Sequence, residues 1–305
     1  MESEKKIPLK LNSISALHKV LGFPKPSHPL ISLVNYADIQ TPYEEWPKSI
    51  LLNFYKISYK KSLTGKIKYG QGYYDFDEGG LSFISPNQVI ACADDEQDYS
   101  GYTLLIHPDF LRGYPLDNKI KTFGFFSYTA NEALFLSDRE KQVILSVFEN
   151  IREELDNTID DFSQDLVISH IEVLLNYSNR FYKRQFITRK AVNHDLLAKL
   201  EQLLNNYFNK EESLSRGLPT VEYLAEQLNL SPRYLSDVLR SLTGHNAQQK
   251  IHDTLIEKAK EYLTATNLSV AEVAFRLGFE HPQSFNKLFK KKTNQTPIEF
   301  KHSSQ

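Results

Sequence analysis

Cysteine is almost absent from this sequence: Cys92 is the only one among 305 residues. A single cysteine excludes an intrachain disulfide and a cysteine-rich zinc site. Because Cys92 lies between two alanines, we interpret it as a small core residue rather than as a nucleophile. The sequence therefore gives no support to cysteine-based chemistry.

Long apolar runs are also missing. No segment reaches the roughly 18 apolar residues of a membrane span, and the N-terminal residues lack the apolar stretch of a signal peptide. We therefore expect a cytoplasmic protein without a membrane partner. Hydrophobic residues make up 41% and charged residues 24% of the chain, as in ordinary soluble globular proteins. A length of 305 residues predicts two domains.

Charge is unevenly distributed along the chain, although the formal net charge is only −2. From Lys183 onward there are 18 Lys and Arg against 13 Asp and Glu, a balance of +5, whereas residues 1–182 hold 18 and 25, a balance of −7. The C-terminal part is therefore the one suited to a polyanion.

The first half of the chain has the pattern of β-strands. Between residues 31 and 106, short segments rich in Ile, Tyr and Phe alternate with Gly, Pro, Asn and Asp, which predicts an all-β barrel or sandwich. The glycines of "DFDEGGL", residues 75–81, suit a tight reversal. Aromatic residues of strands commonly belong to the hydrophobic core. Four of them are also candidates for the lining of a ligand pocket: Tyr69, Tyr73, Tyr74 and Phe76.

Helical periodicity begins after residue 136. Ser137 followed by Glu140 predicts a capping box, and two long amphipathic helices are expected, which could cover the barrel or pair with a second subunit. We interpret the basic, less periodic residues 184–194 as a linker. The predicted division is residues 1–183 as a β-rich ligand-binding or dimerisation domain with two long helices, then the linker, then residues 195–305 as a helical domain.

The helical domain contains an internal repeat. "VEYLAEQLNLSPRYLSDVLRSLTG", residues 221–244, aligns with "VAEVAFRLGFEHPQSFNKLFKKKTN", residues 270–294, at an offset of 49 before the turn and 50 after it. Each copy reads as a short helix, a tight turn and a second helix that begins at Pro232 or Pro282, because proline suits the first helical position. Helix, turn, helix is a motif whose second helix can enter the major groove of DNA.

The second helix of the later copy has one apolar stripe and one polar face. The polar face is expected to carry Gln283, Asn286, Lys287 and Lys290. Gln and Asn can hydrogen-bond adenine and Lys can reach guanine or phosphate, while Lys291 and Lys292 are expected to contact phosphates. Together with the repeat, this face predicts DNA binding.

The second helix of the earlier copy is less basic, with Arg233, Ser236, Asp237 and Arg240 on its outer face. Asp237 repels phosphate but can accept from cytosine, so this helix either reads sequence with little affinity or is a weak contact. A helix predicted over "NAQQKIHDTLIEKAKEYLTATN" would fix the spacing of the two copies. At about 34 Å, one turn of duplex, both could face the same side of DNA.

The C-terminal segments resemble the AraC/XylS family of bacterial transcription regulators. "SPRYLSDVLRSLTG", "EKAKEYL", "LSVAEVAFRLGFEHPQSFNKLFKK" and "TPIEF" have the family's order and spacing between about residues 196 and 301. The resemblance implies a seven-helix DNA-binding domain, two recognition helices in successive major grooves and an effector-binding or dimerising domain in front. "EGGLSFISPNQV" in the first half resembles the cupin-like barrel of many members. The expected fold class is α+β, an N-terminal cupin-like β-barrel with flanking helices and an all-α double helix-turn-helix domain.

Three residues depart from the family pattern. Asp237 and Leu255 stand where the family often has Arg, which weakens the expectation of strong phosphate binding by the first recognition helix. Asn294 replaces the usual Gly after the second one, and Asn tolerates the left-handed conformation of that position. The second copy therefore keeps the pattern better.

The expected function is that of a sequence-specific DNA-binding transcriptional regulator, modulated by a small-molecule effector in the N-terminal domain. Its expected partners are double-stranded DNA, RNA polymerase, the unknown effector and, in a homodimer, a second copy of the chain. No cofactor and no catalytic residue are expected.

Two alternatives stay open. One is a cupin-type enzyme with an accessory DNA-binding domain. A metal cupin needs clustered His and a carboxylate, yet the barrel strands offer His107 alone, so we expect no metal site. The other alternative is a nonspecific architectural DNA-binding protein.

Overall fold

The computed structural model describes residues 8–42, 45–61, 67–69, 72–74, 79–91, 100–129, 132–157, 163–188 and 190–303. The chain divides into two compact units, Met1–Gln185 and Phe186–Gln305. The division falls inside the predicted linker, residues 184–194.

The described part of the first unit contains ten β-strands in three sheets. They are β1 (Leu9–Leu11), β2 (Ile31–Asn35), β3 (Ser49–Leu52), β4 (Tyr55–Lys60), β5 (Ile67–Tyr69), β6 (Gly72–Tyr74), β7 (Gly80–Ile84), β8 (Gln88–Ala91), β9 (Gly101–Ile106) and β10 (Leu134–Phe135). The five-stranded sheet has the order β10-β7-β4-β9-β2 with antiparallel neighbours, the three-stranded sheet the order β1-β3-β8, and β5 pairs with β6. The α+β class is confirmed, and the closed barrel stays a prediction.

Helices flank these sheets in sequence and space. They are α1 (Ile14–Leu21), α2 (Pro108–Leu111), α3 (Pro115–Ile120), α4 (Asp138–Asp156) and α5 (Ser163–Thr188). The predicted capping box at the start of α4 is confirmed, because the Ser137 hydroxyl accepts from the backbone N–H of Glu140, and the Glu140 carboxylate accepts from the backbone N–H of Ser137 at 2.9 Å.

An aromatic core joins the five-stranded sheet to these helices. Phe83 of β7 lies 4.4 Å from Phe125, ring centre to ring centre, and Phe125 stacks on Tyr182 of α5 at 5.5 Å. Tyr102 of β9 stacks on Phe148 of α4 at 6.3 Å. Because aromatic pairs at these distances stabilise beyond the area that they bury, the two long helices are fixed on this sheet.

The segment predicted to be the linker is helical in its described residues. Helix α5 continues to Thr188, and α6 (Lys190–Asn209) begins two residues later. The first residues of the segment are held in the first unit, because Arg184 pairs with Glu140 at 2.5 Å and the side-chain amide oxygen of Gln185 accepts from the backbone N–H of Phe135 at 2.8 Å. Arg184 and Lys190 of the segment therefore belong to helices.

The second unit consists of helices. After α6 come α7 (Glu212–Arg216), α8 (Val221–Gln227), α9 (Pro232–Thr243), α10 (Ala247–Ala265), α11 (Val270–Arg276), α12 (Pro282–Thr293) and α13 (Pro297–Ser303). The resemblance implied seven helices, and this unit has an eighth within its described residues, the one-turn α7. It is tied down because the Ser213 hydroxyl donates to the carbonyl of Arg276 at 2.7 Å.

One buried apolar cluster joins α6 to the helices of both repeat copies. Leu204 of α6, Leu239 of α9, and Phe285 and Phe289 of α12 are among its members, each 1% exposed or less. Leu255 of α10 also lies in this cluster. An apolar side chain therefore fits at Leu255, where the family often has Arg, because an unpaired charge there would be costly.

None of the helices in the described ranges is long and apolar enough to cross a lipid bilayer.

Candidate nucleic-acid interface

Helix α12 owes its orientation to two phenylalanines. Phe285 contacts Phe279 at 5.5 Å and Phe289 contacts Phe300 at 5.6 Å, ring centre to ring centre, so both are buried in the second unit. The helix runs from Pro282 to Thr293 and is followed by Asn294, whose backbone is left-handed with φ of 61°. Asn thus fills the usual glycine position, as expected.

The opposite face of α12 is exposed and carries the predicted residues Gln283, Asn286, Lys287, Lys290 and Lys291. In the described part of the chain, Lys292 is the one lysine of α12 with its ammonium within 4.0 Å of a carboxylate. An exposed row of amide and ammonium groups matches the acceptors of base edges and phosphates. Contact of these five residues with DNA stays a prediction.

Lys292 does not join this exposed face. Its ammonium donates to Oδ1 of Asp253 in α10 at 2.7 Å, so the expectation that Lys292 contacts a phosphate is not supported by the structure. The pairing is with α10 because that helix packs against α12.

Helix α9 is built like α12 but presents different chemistry. The Ser231 hydroxyl caps its start by accepting from the N–H of Tyr234 at 3.2 Å, and Gly244 ends it with φ of 77°. Tyr234 is buried and lies edge-on to Phe186 at 5.4 Å. The sequence did not predict that Tyr234 belongs to the core.

The outward residues of α9 form an internal charge network. Asp237 is 18% exposed, its Oδ2 accepts from Arg233 at 3.0 Å, and its Oδ1 lies 3.6 Å from Arg240. The two arginines are 49% and 54% exposed, and Ser236 is partly exposed. Because Asp237 lies between two cations, it is less available to cytosine than its sequence position implied.

Substitution of Asp237 by Asn should release Arg233 and Arg240 for phosphate contact. We expect tighter DNA binding at low salt and a dependence of log affinity on log salt that is steeper by about 2, roughly 0.9 for each arginine that gains a phosphate contact. The dissociation constant for one duplex, measured at several salt concentrations, gives both the affinity and its salt dependence. Glu222→Gln on α8 is the matched control, because it removes the same charge from an exposed residue of the same unit; equal effects of the two variants would contradict this role of Asp237.

Helix α10 separates the two copies. It begins with a capping box, in which Asn246 and Gln249 exchange hydrogen bonds of 2.9 Å, and it buries Ile251, Leu255 and Leu263. Its 19 residues give a length of ~28 Å. The predicted connecting helix is confirmed, and its rigidity and the spacing of the copies on DNA stay predictions.

The four candidate ligand-binding residues of the first unit are not tested by the structure. Tyr69 belongs to β5, and Tyr73 and Tyr74 belong to β6, with Tyr69 opposite Gly72 in the ladder; only their backbones are described. Phe76 and the single cysteine, Cys92, lie outside the described residues.

His107, the lone histidine of the predicted barrel strands, has a local role. Its Nδ1 accepts from the backbone N–H of Asp109 at 3.3 Å at the start of α2. Within the ranges that the structure describes, no group of three or more His, Cys, Asp or Glu is placed to hold a metal ion.

Comparison with known proteins gives a family model that lies in the second unit and relatives that each match less than half of this chain. Residues 224–303 match a family model described as a helix-turn-helix domain. The bifunctional transcriptional activator/DNA repair enzyme AdaA of Bacillus subtilis is 33% identical over 86 residues, which are 28% of this chain and 41% of that protein. The HTH-type transcriptional activator RhaS of Salmonella paratyphi B is 31% identical over 133 residues, which are 43% of this chain and 45% of that protein.

A solved structure is also similar to part of this chain. The C-terminal domain of the two-component response regulator yesN from Fusobacterium nucleatum is 32% identical, with a TM-score of 0.29, over 33% of this chain and 96% of that chain. This chain spans less than half the length of the two curated relatives. The match of residues 224–303 to the family model confirms the prediction of a C-terminal helix-turn-helix domain.

Proposed function

From the premise that the C-terminal unit carries an AraC-type helix-turn-helix domain, we propose that this protein is a sequence-specific DNA-binding transcriptional regulator. The observation that carries the proposal is the exposed amide and ammonium face of α12, held outward by buried Phe285 and Phe289. The other helix-turn-helix copy supplies a second outward helix, α9, on the same core, with different side chains on its outer face. Double-stranded DNA and RNA polymerase are the proposed macromolecular partners, in a bacterial cytoplasm.

The proposal is tested by a ratio of affinities. Nonspecific DNA binding has dissociation constants of roughly 10⁻⁴ to 10⁻⁶ M at physiological salt, and specific sites bind ~10³-fold or more tightly. Genome-wide mapping of bound sites followed by affinity measurement should therefore find sequences well above background. Uniform binding to all duplexes would instead favour the nonspecific architectural protein.

The proposal includes no enzymatic step. The bifunctional relative AdaA shares only 28% of this chain, so its repair activity is not carried over. The alternative, a cupin-type enzyme, would be favoured by a stoichiometric transition metal in the purified protein, which elemental analysis measures.

For the first unit, we propose a cupin-like barrel that binds a small-molecule effector. Support comes from a polar group on the five-stranded sheet: the Tyr36 hydroxyl donates to Ser58 at 2.8 Å, and the Ser58 hydroxyl lies 3.1 Å from that of Thr103. The ammonium groups of Lys56 and Lys60 each lie 5.9 Å from the centre of the Tyr36 ring. The two ammonium groups can hydrogen-bond a polar molecule, while the side chains of Tyr36, Ser58 and Thr103 are buried and bond one another.

The electrostatics of this group are unusual for a buried phenol. Burial would raise the pKa of the Tyr36 hydroxyl, but the charge of Lys56, the hydrogen bond with Ser58 and the charge of Lys60 hold that pKa below its ordinary value. An effector must bind one arrangement of the protein better than another in order to change DNA binding. Its action would be seen as a shift in affinity for a mapped site when the compound is added.

Homodimerisation through α5 is proposed for the same unit. Leu166 and Val173 are seven residues apart on this helix and are 45% and 39% exposed, so they share one face. Two apolar side chains on one helix face suit a second copy of the helix.

A further inference from the structure

Asp253 of α10 contacts both helix-turn-helix copies through its two oxygens. Oδ1 accepts from the ammonium of Lys292, in the last turn of α12, at 2.7 Å. Oδ2 lies 2.8 Å from Nδ1 of His245, which follows the end of α9. One carboxylate on the connecting helix thus joins the ends of the two proposed recognition helices.

The geometry keeps this carboxylate charged and oriented. Its side chain is 35% exposed and that of Lys292 is 27% exposed, so both partners are partly withdrawn from water. Burial would raise the pKa of the Asp253 carboxyl, but hydrogen bonds from Lys292 and His245 lower it below its ordinary value. A partly buried ion pair is screened less by salt than an exposed one.

Most ion pairs near Asp253 join residues of the same helix and do not connect different elements. Lys260 pairs with Glu257 at 2.8 Å three residues away on α10 itself, and such exposed pairs contribute little. Asp253 differs because its two partners lie 8 and 39 residues away in the sequence. Only contacts between elements can fix the position of one element relative to another.

A neighbouring cavity of about 390 Å³ does not change this interpretation. Asp253, Lys292 and two further ion pairs line it, Glu201 with Lys250 at 2.9 Å and Glu257 with Lys260 at 2.8 Å. Because the acidic and basic groups of these pairs neutralise one another, the cavity does not favour a charged ligand.

We propose that Asp253 is a positioning residue, which fixes the end of α9 relative to the end of α12 and keeps Lys292 away from DNA phosphates. The effect of Asp253 on DNA binding rests on the proposed function, because it requires that both helix-turn-helix copies bind DNA. Its structural part, the coupling of the two copies, does not require DNA.

The coupling can be measured without DNA. Spin labels at Ser241→Cys on α9 and Gln295→Cys after α12, both exposed, in a Cys92→Ser background, report the distance between the two copies. We expect a narrow distance distribution that broadens in Asp253→Asn. Glu257→Gln is the matched control, because it removes the same charge from the same helix without breaking a contact between elements. A distribution equally narrow in all three proteins overturns the inference.

The DNA experiment uses a mapped site and a copy of it with one base pair inserted between the two half-sites. Wild-type protein should bind the altered site at least about tenfold more weakly, because a change of spacing prevents one of the two helices from making its base contacts. Asp253→Asn should lose most of this discrimination and, because Lys292 is released, should show a log affinity that falls more steeply with log salt by ~1. Glu257→Gln should behave as wild type.

The two experiments separate two failures. If wild-type protein prefers no sequence, the proposed function fails, and the spin-label distances still decide the role of Asp253. If specific binding is present but Asp253→Asn and Glu257→Gln discriminate spacing equally, the role of Asp253 fails and the proposed function stands.

Discussion

Replacing Gly278 by alanine should destabilise the second unit and abolish DNA binding at moderate temperature. Gly278 forms the turn between α11 and α12 with φ of 94°, and an added Cβ would lie 2.6 Å from the backbone carbon and oxygen of Gly217. The left-handed conformation costs a Cβ-bearing residue about 1–2 kcal/mol. Overlap with backbone atoms, which cannot rotate away, should add another ~1–3 kcal/mol.

A second glycine provides the control for this prediction. Gly244 ends α9 with a similar φ of 77°, but across the described residues no heavy atom lies within 4 Å of an added Cβ. Gly244→Ala should therefore lose only the conformational part, about 1–2 kcal/mol. Urea unfolding followed by helical circular dichroism compares the two variants in the full chain. Equal losses of unfolding free energy would show that the contact with Gly217 is irrelevant.

The turn positions of the repeat were predictable from local sequence. A tight turn was expected between the two helices of each copy, and the turn residues Asn229 and Gly278 both have positive φ, 55° and 94°. Pro232 and Pro282 begin the second helices as expected. These features depend on the backbone preferences of single residues, which the sequence displays directly.

Contacts between distant residues were not predictable in the same way. Lys292 and Asp253 are 39 residues apart, and no periodic pattern distinguishes a paired lysine from the exposed Lys290 and Lys291. The helical structure of the described residues between 184 and 194 was missed for a similar reason, because Arg184 is fixed by Glu140, 44 residues earlier. Periodicity identifies faces of a helix, but the partner of each face depends on tertiary packing.

In the β-rich half, too, the sequence predicted the elements but not the contacts between them. Alternation and turn residues indicated its strands, yet they did not indicate that β1 pairs in parallel with β3 while β3 pairs antiparallel with β8. Strand pairing is set by which apolar faces meet, and that is decided over the whole domain.

Lys287→Ala and Lys291→Ala should weaken DNA binding in different ways. Lys287 lies on the exposed face of α12 beside Gln283 and one position from Asn286. If it reads a guanine, its loss costs about 1–3 kcal/mol on the mapped site and relaxes the preference at one base pair. Lys291 lies nearer the end of the helix, so its replacement should weaken all sequences alike and reduce the salt dependence by about 1.

A panel of duplexes with single base-pair changes, each measured at several salt concentrations, separates the two roles. Because the two variants remove the same charge from the same helix, each controls for the electrostatic effect of the other. A base-reading lysine changes the ranking of the duplexes, whereas a phosphate-binding lysine leaves the ranking intact and lowers every affinity. Sequence-blind losses of equal size from both variants would leave α12 with a purely electrostatic role, and the reading of sequence would then have to come from α9.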